Sequence, residues 1–451
     1  MPNLHGVTRA ELIAIILHQQ EQIGTLETQV QELRDLVAAQ TEELGRLHKG
    51  GGKGEPPAWV KPNRPAREKK QRQHRRQAFV RRREPPPEEV RHALECCPRC
   101  GRKLVGGWEH ERRQVMEVVI QRRVVDHVLW AGQWGVCRQR WVPKLTPEVL
   151  GVQGKRRFGV SVQSLVALLR GRYRVPVKEI RRLLWEVCEL HVSDGEMVAL
   201  SAGVVAAGAA ELARLREAGR GSPVVCADET GWREDGKNGF LWTFATPTLR
   251  YFEYHPTRSG KVAQEVRGED FGGTVWCDCY GGYNRFSRKQ RCWSHLWRDL
   301  RALKGEQAGC PEVLAWVEAI HALYEEAKAF SSAHPLRCQE KRRDLEVRLD
   351  ALVRLVAQQK GAPHRVLAER LRKHLLEWFV FVEHPAVPSQ NNLAERSLRP
   401  GVIARKISGG TRSAAGSPTR TGLMSLLGSY AAQGKALLPA CRNLLLTGSP
   451  G

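Results

Sequence analysis

Ser222-Pro223-Val224-Val225-Cys226-Ala227-Asp228-Glu229-Thr230-Gly231-Trp232 is where the character of the chain changes. The short apolar run after Pro223 reads as a strand that ends at Asp228. Asp235-Gly236-Lys237-Asn238-Gly239 is turn-rich. Phe240–Thr246 reads as a second strand, Pro247 breaks it, and Leu249–His255 reads as a third. Residues 258–267 suit a helix, and Thr274–Cys277 a fourth strand ending at Asp278. The expected fold class is therefore mixed α/β, with two aspartates at strand ends. Glu229 follows Asp228 and points to the opposite face, because side chains alternate along a strand.

Helical patterns flank this segment on both sides. Before it, Leu165, Leu168 and Leu169 share one face, as do Ile180, Leu183, Leu184 and Val187, with a break at Tyr173–Pro176. Ser193 offers a cap for a third helix. The nearby Arg170, Arg172, Arg174, Arg181 and Arg182 suit either a helix-turn-helix or a plain helical spacer. After it, residues 300–382 are helical, with Leu345, Leu349, Leu352 and Leu355, then Leu367, Leu371 and Leu375, on consistent faces. Ser389–Arg399 opens a final helix of the core. Leu423, Leu426 and Leu427 share a face in a C-terminal helical tail.

The chain has 451 residues, enough for two to four units at roughly 100–200 residues each. Seventy-two Lys and Arg against 48 Asp and Glu leave a net charge of +24. Such an excess points to a polyanionic partner, nucleic acid first. No run reaches the roughly 18 apolar residues of a membrane span, and the N-terminus lacks the pattern of a secretory signal. The twelve cysteines then read as mostly reduced thiols of a cytoplasmic, nucleoid-associated protein.

Residues 12–47, within a segment 1–49 that reads as a coiled coil, carry a heptad. Ile16, Ile23, Val30, Val37 and Leu44 recur every seven, and Leu12, Gln19, Leu26, Leu33, Gln40 and Leu47 form the second series. β-branched residues in one series and leucine in the other favour a parallel two-stranded coiled coil, hence self-association; the alternative is one amphipathic helix packed on its own domain. Residues 50–90 read as a disordered basic linker. Lys53–Arg83 holds twelve Lys and Arg against two Glu, Glu55 and Glu68, so ten of the 24 net charges lie there. Such an arm would track phosphates without reading sequence.

Residues 91–145 contain Cys97-Pro98-Arg99-Cys100-Gly101, half of a tetrahedral zinc site. Cys137 falls where the second half belongs, with Trp134 and Arg140 in the places of a partner. The expectation is a zinc-ribbon-like DNA-binding module with the incomplete set Cys97, Cys100 and Cys137, which holds Zn²⁺ or stands on its apolar residues alone.

An aspartate at each of two strand ends, with a glutamate on a helix, is an arrangement that suits phosphodiester cleavage. Two divalent ions about 3.5–4 Å apart serve an in-line displacement, and oxygen ligands suit Mg²⁺ or Mn²⁺. With 48 acidic residues, spacing alone selects no particular triple. The surrounding motifs do: Ala227–Trp232, Asp278-Cys279-Tyr280-Gly281-Gly282-Tyr283, Cys292-Trp293-Ser294-His295 with Arg298, Asn391-Asn392-Leu393-Ala394-Glu395-Arg396-Ser397-Leu398-Arg399-Pro400, then Arg405-Lys406 and Gly409-Gly410. In this order they resemble the transposases of the insertion-sequence 66 family, over nearly the whole chain.

That resemblance implies an RNase H-like catalytic core with a helical insertion, preceded by the coiled coil, the ribbon and a helical domain (146–220). The core would run over 221–299 and 386–412, interrupted by the insertion at 300–385 and followed by the tail at 413–451. It implies a catalytic, metal-binding triad of Asp228, Asp278 and Glu395. The chemistry implied is hydrolysis at the ends of a mobile element, followed by strand transfer into target DNA, with accessory proteins of the same element as further partners. Asn392 lies one helical turn before Glu395 and would orient it or touch a phosphate. Arg396, Arg399, Arg405 and Lys406 would hold the DNA backbone, and His295 and Arg298 a phosphate or leaving group, unless His295 is a core histidine. Trp232 reads better as core than as a base-stacking residue. Two departures stand out: the incomplete second cysteine pair, and Gln390 where family members often carry Asp. Competing readings are a DNA-binding copy without catalysis, and a stand-alone RNase H-like nuclease.

Overall fold

The computed structural model describes residues 8–49, 84–103, 105–106, 108–116, 118–144, 146, 149, 151, 156–330, 334–384 and 386–448. The basic stretch Lys53–Arg83 lies outside the described residues. The chain divides into two compact units, Met1–Met116 and Glu117–Gly451, a boundary inside the span expected for the ribbon.

In the first unit, α1 (Arg9–Lys49) is one uninterrupted helix. Thr8 accepts the Glu11 amide on its hydroxyl while Glu11 accepts the Thr8 amide, a capping box. Ile16, Ile23, Leu26, Val30 and Leu33 on this helix are about half exposed or more. At Cys97–Gly101 the Gly101 amide donates to the Cys97 carbonyl at 2.8 Å and Gly101 adopts φ +70°.

The second unit opens with the hairpin β1 (Gly132–Gln133) and β2 (Arg140–Trp141). Its turn repeats the cysteine turn: the Arg138 amide donates to the Trp134 carbonyl at 2.8 Å, and Arg138 has φ +53°. Trp134 stands where Cys97 stands in the first turn, and Cys137 where Cys100 stands. The two turns thus share a backbone geometry but differ in their first side chain, a thiol in one and an indole in the other.

Four helices follow: α2 (Val160–Gly171), α3 (Val177–Cys188), α4 (Asp194–Ala207) and α5 (Ala209–Arg220). Pro176 is the N-cap of α3, and Ser193 caps α4 in a capping box with Glu196. Next come β3 (Val224–Glu234), β4 (Lys237–Thr246), β5 (Leu249–His255), α6 (Gly260–Arg267), β6 (Thr274–Cys277) and β7 (Lys289–Arg291). The sheet order is β5-β4-β3-β6-β7, antiparallel across β5-β4-β3 and parallel across β3-β6-β7. Asp235 and Gly236, both at positive φ, make the tight β3–β4 turn.

Two expectations need correction here. β3 does not stop at Asp228; it pairs with β4 out to Glu234, because Thr230, Trp232 and their neighbours continue the ladder. The sheet also has a fifth strand. Lys289, Gln290 and Arg291 form it, and all three polar residues are buried, each satisfied by tertiary partners.

A helical block follows: α7 (Trp293–Glu306), α8 (Pro311–Ala329), α9 (Pro335–Gln358), α10 (Arg365–Lys373), a 3₁₀ turn at Leu375–Glu377 and α11 (Val380–Glu383). Its core includes Trp293, Trp316, Tyr324, Leu345, Leu349, Leu371, Trp378 and Phe379. Leu355 is exposed and outside that core. The chain then returns as α12 (Asn392–Ser408), α13 (Gly416–Ala432) and α14 (Leu437–Thr447).

One face of the sheet packs Val225, Ala227, Trp242 and Phe244 against Val262, Ala263 and Val266 of α6. The other packs Trp232, Leu241 and Phe252 against Leu398 and Ala404 of α12 and Met424 of α13. Leu423, Leu426 and Tyr430 of α13 join Val160, Ala167 and Val204 in one core, so the C-terminal helices are part of the body. Among the described residues, no single helix is long and apolar enough to cross a membrane. None of the twelve cysteines, all of them among the described residues, forms a disulfide.

Candidate active site

Parallel pairing between β3 and β6 ends at Cys226↔Trp276. Asp228 lies two residues past that point, still paired to Thr243 of β4. By alternation it shares a face with Cys226, which packs with Trp276, Ala394 and Leu393 under the start of α12. Glu229 takes the other face. Its side chain is buried, bridged to Arg258 at 2.6 Å and bonded by the Tyr283 hydroxyl.

Asp278 follows β6 directly. Its Oδ1 accepts the Tyr280 amide at 2.9 Å, which closes a tight turn. Arg291 holds this turn from behind. The guanidinium is fully buried and donates to the Asp278 carbonyl at 2.6 Å, Asn284 Oδ1 at 2.6 Å and Glu377 Oε2 at 2.5 Å. Glu377 comes from the end of the helical block. Burial opposes its ionisation, but His374 and Arg291 outweigh burial and hold its carboxyl down to about 2. The block is thereby tied to the loop that carries Asp278.

Glu395 sits in the first turn of α12. The residue that fixes this turn is Asn391. It is fully buried and caps the helix by accepting the Ala394 amide. Its Nδ2 donates to the carbonyl of Ala227 at 3.0 Å and of Trp276 at 3.5 Å. One side chain thus joins β3, β6 and α12 within two residues of Asp228 and Asp278. The sequence signal for it is the preference for Asn immediately before a helix, which selects 391 once the helix starts at 392.

Burial first, then the charges of Glu229 and Asp278 and more weakly Glu395, push the Asp228 carboxyl up to about 8. Asp278 and, more weakly, Glu395 are thus near enough to Asp228 for their charges to act on it. The three acids do not form a tight cluster. The one group among the described residues with ligand atoms within 4.8 Å of one another is Cys292, His295 and Glu395. Glu395 Oε1 is buried without a hydrogen-bond partner. Oxygen donors around an anion-crowded carboxyl, one of them unpartnered, fit a divalent cation of the Mg²⁺ type.

Asn392 is exposed and donates to Gln390 at 3.3 Å. Arg396, Arg399 and Lys406 on α12 and Arg298 on α7 are exposed. Arg405 is half-buried and bonds the Gly231 carbonyl and Thr230 Oγ1, so it ties α12 to β3. His295 Nδ1 lies 3.7 Å from Glu395 Oε1. Trp232 is buried, with Nε1 donating to Thr411 Oγ1 at 3.2 Å. Tyr283 is fully buried against Trp242 and Tyr280. At the cysteine turn, the amides of Arg99 and Cys100 lower the Cys97 thiol below its ordinary value.

The profile of the transposase IS66 family matches residues 155–418, which span α2 through the start of α13 and hold all three acids. The chain belongs to the IS66 family of transposases. No curated protein matches it. The IS66 assignment makes the sheet, α12 and the helical block parts of a transposase-family enzyme domain, and covers Asn391 and Arg291 as well as the acids.

Proposed function

We propose that this chain is a DDE transposase whose sheet and α12 form an RNase H-like core, and that Asp228, Asp278 and Glu395 are its catalytic, metal-binding acids. It would cut DNA at the ends of its element and join the freed 3′-hydroxyls to target DNA. The observation that carries this reading is the buried Asn391 side chain, which ties the helix turn bearing Glu395 to the Ala227 and Trp276 carbonyls beside Asp228 and Asp278. Mg²⁺ or Mn²⁺ held by the three carboxylates would activate the attacking water and stabilise the leaving oxygen.

The chain's own residues do the rest. Asn391 keeps the Glu395 turn against both aspartate-bearing strands. Arg291 fixes the backbone at Asp278. The exposed Arg396, Arg399, Lys406 and Arg298 are free to meet phosphates. Arg405 serves that purpose less well, being committed to Gly231. Exposed apolar residues on α1 support self-association through a coiled coil. The Cys97–Gly101 turn supports a ribbon-like module for DNA, with Cys97 and Cys100 as its zinc ligands.

The test is Asp278→Asn, assayed on DNA carrying the element ends with Mg²⁺. Cleavage should fall to background while DNA affinity stays within about threefold. Cleavage that survives the substitution removes Asp278 from the chemistry and the DDE reading with it.

A further inference from the structure

Glu395 Oε1 faces His295 Nδ1 across 3.7 Å, and both atoms are buried without a hydrogen-bond partner. A sulfur completes the group. Cys292 is fully buried, and one ligand atom from each of Cys292, His295 and Glu395 lies within 4.8 Å of the others. Cys292 is the N-cap of α7 and His295 stands three residues on, so both project from one side of that helix start. Glu395 comes from the first turn of α12. The Asn391 amide donates to Cys292 Sγ at 3.1 Å, a contact that orients the sulfur.

Sulfur, imidazole nitrogen and one carboxylate oxygen make a poor set for Mg²⁺, which prefers all-oxygen surroundings. They suit Zn²⁺, and three protein ligands leave a fourth tetrahedral position open to water. Ligands about 2.0–2.1 Å from a tetrahedral zinc lie roughly 3.4 Å apart, so the His295–Glu395 separation needs only a few tenths of an ångström of closure.

We propose that Cys292, His295 and Glu395 bind a thiophilic divalent cation, with Zn²⁺ the best fit, and that an ion there draws Glu395 away from Asp228 and Asp278. On binding, the Cys292 thiol releases its proton to solvent and the sulfur–metal bond forms. The resulting inhibition of Mg²⁺-dependent cleavage rests on the function proposed above; the binding does not.

The test uses the full chain with Cys96→Ser, Cys97→Ser, Cys100→Ser and Cys137→Ser, which removes the thiols in and beside the two turns. Titration with Co²⁺ should give a saturable thiolate-to-cobalt charge-transfer band that Zn²⁺ abolishes. Cys292→Ser should remove the band, and His295→Ala should weaken Co²⁺ binding at least tenfold. No band in the parent, or a band that survives Cys292→Ser, overturns the proposal. If the Cys292 variant does not fold, zinc-edge absorption of the parent decides: a sulfur neighbour near about 2.3 Å with nitrogen or oxygen near about 2.0 Å supports the site, and light atoms alone refute it. A chain that binds cobalt this way but cuts no DNA refutes the proposed function and leaves the site standing.

Discussion

The side-chain Nδ2 of Asn391 donates to the carbonyl of Ala227 at 3.0 Å, across 164 residues of chain. Ala227 immediately precedes Asp228, and Asn391 caps the helix turn that carries Glu395. The distance between these two acids is thus governed by one buried side chain that carries no charge and touches no substrate.

Asn391→Leu should therefore cost more than a cap. It removes a buried donor and acceptor together and leaves the Ala227 carbonyl unpaired, for about 1–3 kcal/mol of stability. Thermal unfolding measures that loss. Cleavage should fall much further than stability does, because Glu395 is released from its register. An active Asn391→Leu protein would show that α12 is held by packing alone.

Arg291 is the second positioning residue. Arg291→Met leaves Glu377 half-neutralised and mostly buried, with an expected loss of about 3–5 kcal/mol. Arg291→Lys keeps the charge but not the fork that reaches Asp278, Asn284 and Glu377 together. It should recover part of the stability and little of the activity. Equal recovery of both would reduce Arg291 to a simple counter-charge.

Asp228 sets a pH dependence. Its carboxyl is raised from 3.8 to about 8, so the folded state binds a proton that the unfolded state releases over that interval. Stability in metal-free buffer should fall as pH rises from about 4 to about 8, then level off. Asp228→Asn removes that slope, and its advantage in melting temperature should be larger at pH 8 than at pH 5. Mg²⁺ should narrow the gap by favouring the wild-type anion. Melting curves that stay parallel across this range would mean that Asp228 is ionised throughout.

The heptad on α1 makes a separate prediction. Among the described residues, Ile16 and Ile23 of this helix are each about half exposed. Ile16→Glu with Ile23→Glu would remove about 1.5–3 kcal/mol of apolar burial per site and chain in a coiled coil. Sedimentation should then report a smaller assembly, with melting of the catalytic unit unchanged. An unaltered mass would place self-association elsewhere.

Periodicity and turn chemistry alone reached the β4–β5 pair, α6, β6, the Ser193 cap and the helices around them. Those features are local: alternation, a cap and a breaking proline act within a few residues. The three acids proposed for the site were picked out by the motifs around them, and the structure places Asp228 within β3, Asp278 just after β6 and Glu395 in the first turn of α12. Tertiary structure decided the remainder. Lys289–Arg291 became a buried strand only because Glu377, Trp378 and Phe286, from other segments, satisfy its polar groups. Asn391 rather than its neighbour Asn392 became the pin, because only one of the two faces Ala227 and Trp276. Cys292 and His295 came to face Glu395 because α7 and α12 begin side by side. Burial of polar groups depends on partners distant in sequence, and those partners exist only once the chain has folded.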